Sequence, residues 1–267
     1  MKQKNFVNQI FCEDCIKTME KMINNEFKVD LILTSPPYNT VRDGGITSEK
    51  SRKDGYGRYD EYYDTKTETE YINWTLQLFG LFNKVLEKNG VVIYNLSYGR
   101  ENTELMWRVV YNIIENSPFT IGDNIIWKKK TAMPHPASFN KLTRICEYIY
   151  IFCRKTEFET YNQNLKVNKI GKNGQKYYIP QQNWIEADNN DGANKLNKAT
   201  FSTELVSQLL DMYVIDKNSI VYDCFMGTGT TANACRSKGI NYVGSEISYP
   251  QVEYSKNRLK SVQSRLM

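Results

Sequence analysis

V-D-L-I-L-T-S-P-P, residues 29–37, followed by Tyr38 and Asn39, decides how the rest of the chain is read. Val29, Leu31, Ile32 and Leu33 are apolar on both faces of an extended segment. That pattern suits a central, parallel strand buried on both sides. Pro36 and Pro37 lack backbone N–H donors and cannot continue a ladder. The strand therefore stops at Thr34 or Ser35, and Ser35 to Tyr38 form a stiff loop at its C-terminal end. A hydroxyl, rigid carbonyls and an aromatic ring then share the sheet edge at which open α/β folds bind ligands. On this stretch alone, an ordinary strand stop with a surface tyrosine explains the residues equally well.

Around that strand the chain alternates. Phe6 to Phe11 is a short strand, and Glu13 or Asp14 caps a helix running to about Asn25. After Tyr38 comes a polar, glycine-bearing stretch to Thr67, about thirty residues long, which is the length of a functional loop. Glu68 to Lys88 has helical periodicity, with Asn89-Gly90 as its C-cap. Val91 to Leu96 is a buried strand, and Arg100 to Asn116 a helix ended by Ser117-Pro118. Asp123 to Lys128 and Ile145 to Arg154 are two strands joined by a long basic loop, a hairpin for the edge of a sheet. Residues 156–197 are polar with little periodicity and read as an insertion. The α/β pattern resumes with a helix from Thr203 to Val214, a strand from Ser219 to Phe225, a helix from Thr230 to Lys238 capped by Gly239, a strand from Asn241 to Ile247 and a last helix from Pro250 to Arg265. The order β-α-β-loop-α-β-α argues for a mostly parallel sheet with helices on both faces.

A second loop, D-C-F-M-G-T-G-T-T at 223–231, follows one of these strands and opens a helix. Gly227 and Gly229 permit positive φ and close approach of a ligand to the backbone. The spacing lacks the Gly-Lys-Ser/Thr end of a phosphate-cradling loop and the third glycine of the dinucleotide fingerprint. Glu246, 17 residues beyond Gly229 at the end of the next strand, is placed to bind ribose hydroxyls. These features suit an adenosine-containing ligand without strong phosphate recognition. A tight turn beside a solvated glutamate is the alternative.

With 267 residues, 40% hydrophobic and 24% charged, the chain reads as globular. No apolar run approaches the ~20 residues of a membrane helix, and the N-terminus, M-K-Q-K-N-F, lacks an apolar signal region. The expected location is the cytoplasm. A net charge of +5 permits a polyanionic partner without demanding one. Six cysteines in an intracellular chain read as free thiols. The Cys12/Cys15 pair has no second pair to complete a zinc site, so no metal is expected.

Taken together, T-S-P-P-Y-N at 34–39 and D-C-F-M-G-T-G-T at 223–230 resemble the amino-group DNA methyltransferases that use S-adenosylmethionine. The order, catalytic motif first and cofactor loop last, resembles their permuted β group. The resemblance implies a Rossmann-like methyltransferase fold with a mostly parallel seven-stranded sheet, an antiparallel hairpin edge and helices on both faces. It implies Ser35, Pro36, Pro37 and Tyr38 as the catalytic loop. Tyr38 would stack on an extruded base, while the Ser35 hydroxyl and the Pro36 carbonyl accept from its amino group. I-F-C-E-D-C, with Phe11, Asp14 and Cys15, resembles the family's segment at the cofactor adenine, although Glu13 replaces a glycine. K-A-T-F, Lys198 to Phe201, resembles the segment around the methionine end, with Ser202 where proline is usual. Thr34, Thr200, Phe201, Ser202, Asp223, Phe225, Gly227, Gly229, Thr230, Thr231 and Glu246 complete the implied cofactor set. S-adenosylhomocysteine is the implied product, and no metal is needed.

Double-stranded DNA is the implied substrate. A homodimer and a cognate restriction endonuclease are implied partners, and no membrane is involved. Lys129, Lys130, His135, Lys141 and Arg144 in the basic loop, and Arg42, Arg52, Lys53 and Arg58 after Tyr38, are the candidates for phosphate contacts. For any one of them solvated surface charge is the alternative. Residues 1–155 form the catalytic half, 156–197 an inserted target-recognition segment and 198–267 the cofactor half. Serine at 35 resembles the cytosine-N4 enzymes; an adenine-N6 enzyme is the alternative. An RNA or small-molecule methyltransferase, or a nucleic-acid binder with a decayed cofactor pocket, would share much of the pattern.

Overall fold

The structure is a computed structural model, and it describes residues 5–39, 66–98, 102–131, 142–192, 196 and 200–266. Ten strands and six helices are described. They are β1 (Gln9–Cys12), α1 (Cys15–Asn24), β2 (Val29–Thr34), α2 (Glu68–Val85), β3 (Leu86–Leu96), α3 (Leu105–Asn116), β4 (Phe119–Lys129), β5 (Cys146–Arg154), β6 (Val167–Ile170), β7 (Lys176–Tyr178), β8 (Trp184–Ala187), α4 (Thr203–Tyr213), β9 (Ile220–Asp223), α5 (Thr230–Lys238), β10 (Asn241–Glu246) and α6 (Tyr249–Leu266).

Eight strands form one sheet in the order β1-β10-β9-β2-β3-β5-β4-β8. β1, β10, β9, β2 and β3 run parallel, and β5 is antiparallel to both β3 and β4. The opening stretch lies at the centre, as its two apolar faces require. Val29 and Ile32 point into a core covered by α1, α2 and α3. Leu31 and Leu33 point into one covered by α4, α5 and α6. β3 and β5 alternate in the same way. Val92, Tyr94, Tyr150 and Phe152 enter the first core, and Val91, Ile93, Ile149 and Ile151 the second. From β2 the chain winds through α2 to β3 on one side, and from β9 through α5 to β10 on the other. The sheet order therefore reverses between β2 and β9, and a crevice opens at their C-terminal ends.

Four expectations are corrected. The sheet has eight strands where seven are expected, because β8, from inside the 156–197 segment, pairs in parallel with β4. Ile185 and Ala187 are the buried members of that four-residue strand, too few to produce a readable alternation. The β4–β5 hairpin is consequently one strand in from the edge. The Asn89-Gly90 pair does not cap a helix. α2 ends at Val85 and β3 begins at Leu86. Asn89 takes its positive φ (61°) within the strand, at a register irregularity opposite β2. Gly90 is needed for approach: a Cβ there would lie 2.7 Å from the Asp30 carbonyl oxygen. α3 starts at Leu105, where Asn102 Oδ1 accepts from the Leu105 amide at 3.1 Å. β6 and β7 form a separate antiparallel ribbon with every residue exposed.

Candidate active site

A short buried hydrogen bond joins the two motifs. Thr34 Oγ1, the last residue of β2, donates to Asp223 Oδ1, the last residue of β9, at 2.7 Å across 189 residues of sequence. Asp223 organises the glycine loop as well. It accepts from Thr231 Oγ1 at 2.6 Å and from the Phe225 amide at 3.0 Å. Burial pushes the Asp223 carboxyl from its ordinary 3.8 up to about 6, against the pull of these three donors, and the Glu246 carboxylate adds to the rise.

An acid raised on folding stabilises the fold while protonated and costs stability once ionised. Between pH 3.8 and about 6 this group is expected to withdraw about 3 kcal/mol of stability as the pH rises. Asp223→Asn should lack that component. The unfolding free energy of the variant relative to wild type, followed by urea denaturation, should move in the variant's favour by about this amount from pH 4 to pH 7. A pH-independent difference would contradict the assignment.

Beyond Asp223 the chain turns through Gly227 (φ 54°) and Gly229 (φ 82°), both left-handed. A Cβ on Gly229 would sit 2.8 Å from the Ser255 side chain, so no larger residue fits beneath the loop. The Gly227 amide donates to Glu246 Oε2 at 2.8 Å, and the Ser248 amide to Oε1 at 2.9 Å. Each carboxylate oxygen can accept more than one hydrogen bond, so the acid at the end of β10 is oriented and remains able to accept from a ligand. At the end of β1, Asp14 caps α1, its Oδ1 accepting from the Ile16 amide at 2.8 Å.

The two loops line one cavity of 420 Å³, a size typical of small-molecule sites. Of the residues singled out from sequence, Ser35, Pro36, Pro37, Tyr38, Asp14, Cys15, Thr200, Phe201, Asp223, Phe225, Gly227, Thr230 and Glu246 face it. Thr34, Ser202, Gly229 and Thr231 do not line it. Thr34 and Thr231 hold Asp223, and Ser202 caps α4 by accepting from the Leu205 amide. Phe11 packs against Phe6, 5.7 Å between ring centroids, and also stays outside.

Several lining residues are absent from the sequence-derived set. Trp74 packs its ring 5.6 Å from that of Phe225. Its periodic place on α2 marks it as inward-facing without saying that inward means the cavity. Glu13, Ile16, Lys66, Met226 and Ile247 also line the wall. The wall thus combines carboxylates from Glu13, Asp14, Asp223 and Glu246 with apolar surface from Ile16, Trp74, Phe201, Phe225 and Ile247. Those acceptors and apolar faces suit a ligand with a positive centre, hydroxyls and a flat apolar ring.

The Ser-Pro-Pro-Tyr loop is held from behind. Tyr71 Oη donates to the Pro37 carbonyl at 2.7 Å, which anchors the loop to α2. Asn39 Nδ2 donates to the Lys66 carbonyl at 2.7 Å, so the chain leaves and returns at one rim of the cavity. The hydroxyls of Ser35 and Tyr38 are 2.8 Å apart. Tyr38 Oη donates to Glu147 Oε2 at 3.1 Å and accepts from Asn95 Nδ2 at 2.7 Å.

The basic residues divide. Lys129 is ion-paired with Glu147, and Lys130 with Glu204. Arg144 lies over the Tyr98 ring, 5.0 Å from its centroid. Arg42, Arg52, Lys53, Arg58, His135, Lys141 and Lys198 lie outside the described residues. Sequence separations of 18 and 74 residues hide the acid partners of Lys129 and Lys130 from any local reading.

The chain is 25% identical to the Type II methyltransferase M.HinfI of Haemophilus influenzae over 265 residues, covering 97% of this chain and 70% of that one. Its fold resembles that of M1.HpyAVI in its SAM complex, with a TM-score of 0.60, 22% identity, and 94% and 98% of the two chains covered. It also resembles PvuII DNA methyltransferase (cytosine-N4-specific), with a TM-score of 0.68, 16% identity, and 97% and 92% covered. Residues 29–257, which run from the first residue of β2 into α6 and so contain both loops and most of the residues that line the cavity, match the N6/N4 DNA methylase family. The chain belongs to that family.

Proposed function

We propose that the protein transfers a methyl group from S-adenosylmethionine to the N4 amino group of a cytosine extruded from double-stranded DNA. The buried Thr34–Asp223 hydrogen bond carries this reading, because it sets the base loop and the glycine loop on one cavity. The lining fits the cofactor. Glu246 is the acceptor for ribose hydroxyls, the segment with Asp14 and Cys15 suits the adenine, and Thr200 and Phe201 flank the amino-acid end. The carboxylates around the cavity favour a cation. S-adenosylmethionine supplies an electrophilic methyl group on a cationic sulfur.

The protein's own groups prepare the nucleophile. An exocyclic aromatic amine is weak because its lone pair is delocalised into the ring. Acceptors at Ser35 Oγ and the Pro36 carbonyl draw its hydrogens out of plane and help localise that pair. Tyr38 offers a π face for the extruded base. Attack then needs nitrogen and methyl carbon in line, about 3–3.5 Å apart. Serine at 35, where adenine enzymes of the family more often carry aspartate, supports cytosine.

The exposed β6–β7 ribbon supports residues 156–197 as the segment that reads target sequence. Lys169 and Lys176 lie on its strands, Lys166 directly before β6 and Lys172 in the turn between them, and Tyr177 and Tyr178 are exposed. Lys169 sits 5.0 Å over the Tyr177 ring, and basic and aromatic side chains side by side suit nucleic acid. No described helix is long and apolar enough to cross a membrane. The same reading carries a cytoplasmic location, a cognate restriction endonuclease and a homodimer.

Incubation with radiolabelled S-adenosylmethionine and duplex DNA tests the reaction. Label is expected in DNA and not in RNA of the same composition, with transfer falling steeply as salt rises. Label in RNA alone, or in neither polymer, would overturn the proposal.

A further inference from the structure

Behind the catalytic loop lies a set of polar side chains that does not line the cavity. Asn95 is the next-to-last residue of β3 and is 4% exposed, and Glu147 lies on β5 with its side chain 12% exposed. Asn95 Nδ2 donates to Tyr38 Oη at 2.7 Å and to Glu147 Oε2 at 2.9 Å. Lys129 is ion-paired to Oε1 of the same carboxylate. A carboxylate paired with a lysine can only accept. Asn95 must therefore turn its nitrogen toward Glu147, even though this leaves Asn95 Oδ1 buried with no hydrogen-bond partner among the described residues. Tyr38 has one hydroxyl hydrogen, and Glu147 takes it at 3.1 Å. The 2.8 Å contact between Ser35 and Tyr38 can then be made only with the Ser35 hydrogen pointing at Tyr38.

We infer that Glu147, held by Lys129 and Asn95, is a positioning residue that fixes the direction of the Ser35–Tyr38 hydroxyl chain, so that Ser35 presents only lone pairs to the base. The inference rests on the amino-transfer reading above. It gives the protein a means of telling an amino group from a carbonyl at the same ring position. The amino group donates to Ser35, whereas a carbonyl meets lone pair against lone pair. It also accounts for a serine acting as a hydrogen-bond acceptor at a place where a hydroxyl could equally donate. Glu147→Gln breaks the polarity. An amide can donate to Tyr38 Oη, which releases the tyrosine hydrogen toward Ser35 and turns the serine hydrogen toward the base.

The test uses the full-length protein with S-adenosylhomocysteine and two synthetic duplexes. Both carry the sequence that the wild type methylates. The target base bears its amino group in one and a carbonyl at the same position in the other. Wild type is expected to bind the amino duplex at least about tenfold more tightly. Glu147→Gln should shrink that ratio by about tenfold and lower kcat, while leaving cofactor affinity in place. Glu147→Asp, which keeps the carboxylate, should recover part of the ratio. Tyr38→Phe, which removes the connecting hydroxyl, should lose the preference, and Glu147→Gln added to it should change nothing further. If Glu147→Gln weakened both duplexes equally, or neither, Glu147 would have no part in fixing polarity. Tyr38→Phe reads out the same claim should Glu147→Gln not fold. Methyl transfer by the wild type separates the two failures. Its absence overturns the amino-transfer reading and this inference with it, whereas wild-type transfer with an unchanged ratio overturns the inference alone.

Discussion

Ser35→Ala is expected to lower kcat for methyl transfer by at least about 100-fold, with cofactor affinity and thermal stability near those of the wild type. The serine is half-buried at the cavity wall, and among the described residues its hydroxyl hydrogen-bonds to Tyr38. Its loss therefore opens no core cavity. What disappears is one of the two acceptors proposed for the amino group. The interaction gains strength as positive charge develops on nitrogen, so its removal should appear in kcat before KM. Tyr38→Ala is expected to be at least as severe. It removes the proposed stacking face, worth about 1–3 kcal/mol per base, and it strands Glu147 and Asn95 behind the loop. A single-turnover assay with saturating duplex checks both. Transfer within a factor of two of wild type in either variant would remove Ser35-Pro-Pro-Tyr38 from the mechanism.

The second large effect concerns the scaffold. Phe79 on α2 is fully buried and meets four rings edge-on, with centroids 5.2 Å from Phe82, 5.3 Å from Tyr94, 5.5 Å from Phe119 and 5.1 Å from Phe152. These rings come from α2, β3, β4 and β5, so one side chain ties a helix to three strands. Edge-to-face contacts add to the area buried. Phe79→Ala leaves a hole that four rigid rings cannot close, and it should cost about 3–5 kcal/mol. Urea unfolding should show a lower midpoint at constant slope. A loss under 1 kcal/mol would mean that the aromatic cluster relaxes around the gap.

Both predictions rest on features whose visibility in the sequence differs. β2 and its loop are legible because every signal is local: an apolar run, two prolines, then a tyrosine. The glycine loop is legible for the same reason, since Gly227, Gly229 and Glu246 lie within one strand-helix-strand unit. Their meeting at one cavity follows from the parallel sheet, and Thr34 and Asp223 make the contact. The partners of Tyr38 are a different matter. Asn95 and Glu147 reach it from 57 and 109 residues away, on two strands whose antiparallel pairing no short window encodes. Trp74 reads as one more core aromatic on α2 until the sheet places Phe225 beside it. At Asn89-Gly90 the local helix-stop signal loses to the pairing of β3 with β2, which draws Leu86 into the sheet and uses Asn89 as a bend. β8 is hidden because only two of its residues are buried.

The central claim is that the cavity between β2 and β9 methylates an exocyclic amine of DNA. Nucleoside mass spectrometry on DNA from a host lacking other methyltransferases and expressing this protein tests it most directly. N4-methylcytosine is expected in the host DNA, and none is expected when the Ser35→Ala variant is expressed. N6-methyladenine in its place would keep the reaction and replace the base. DNA without any methylated amino group would contradict the account.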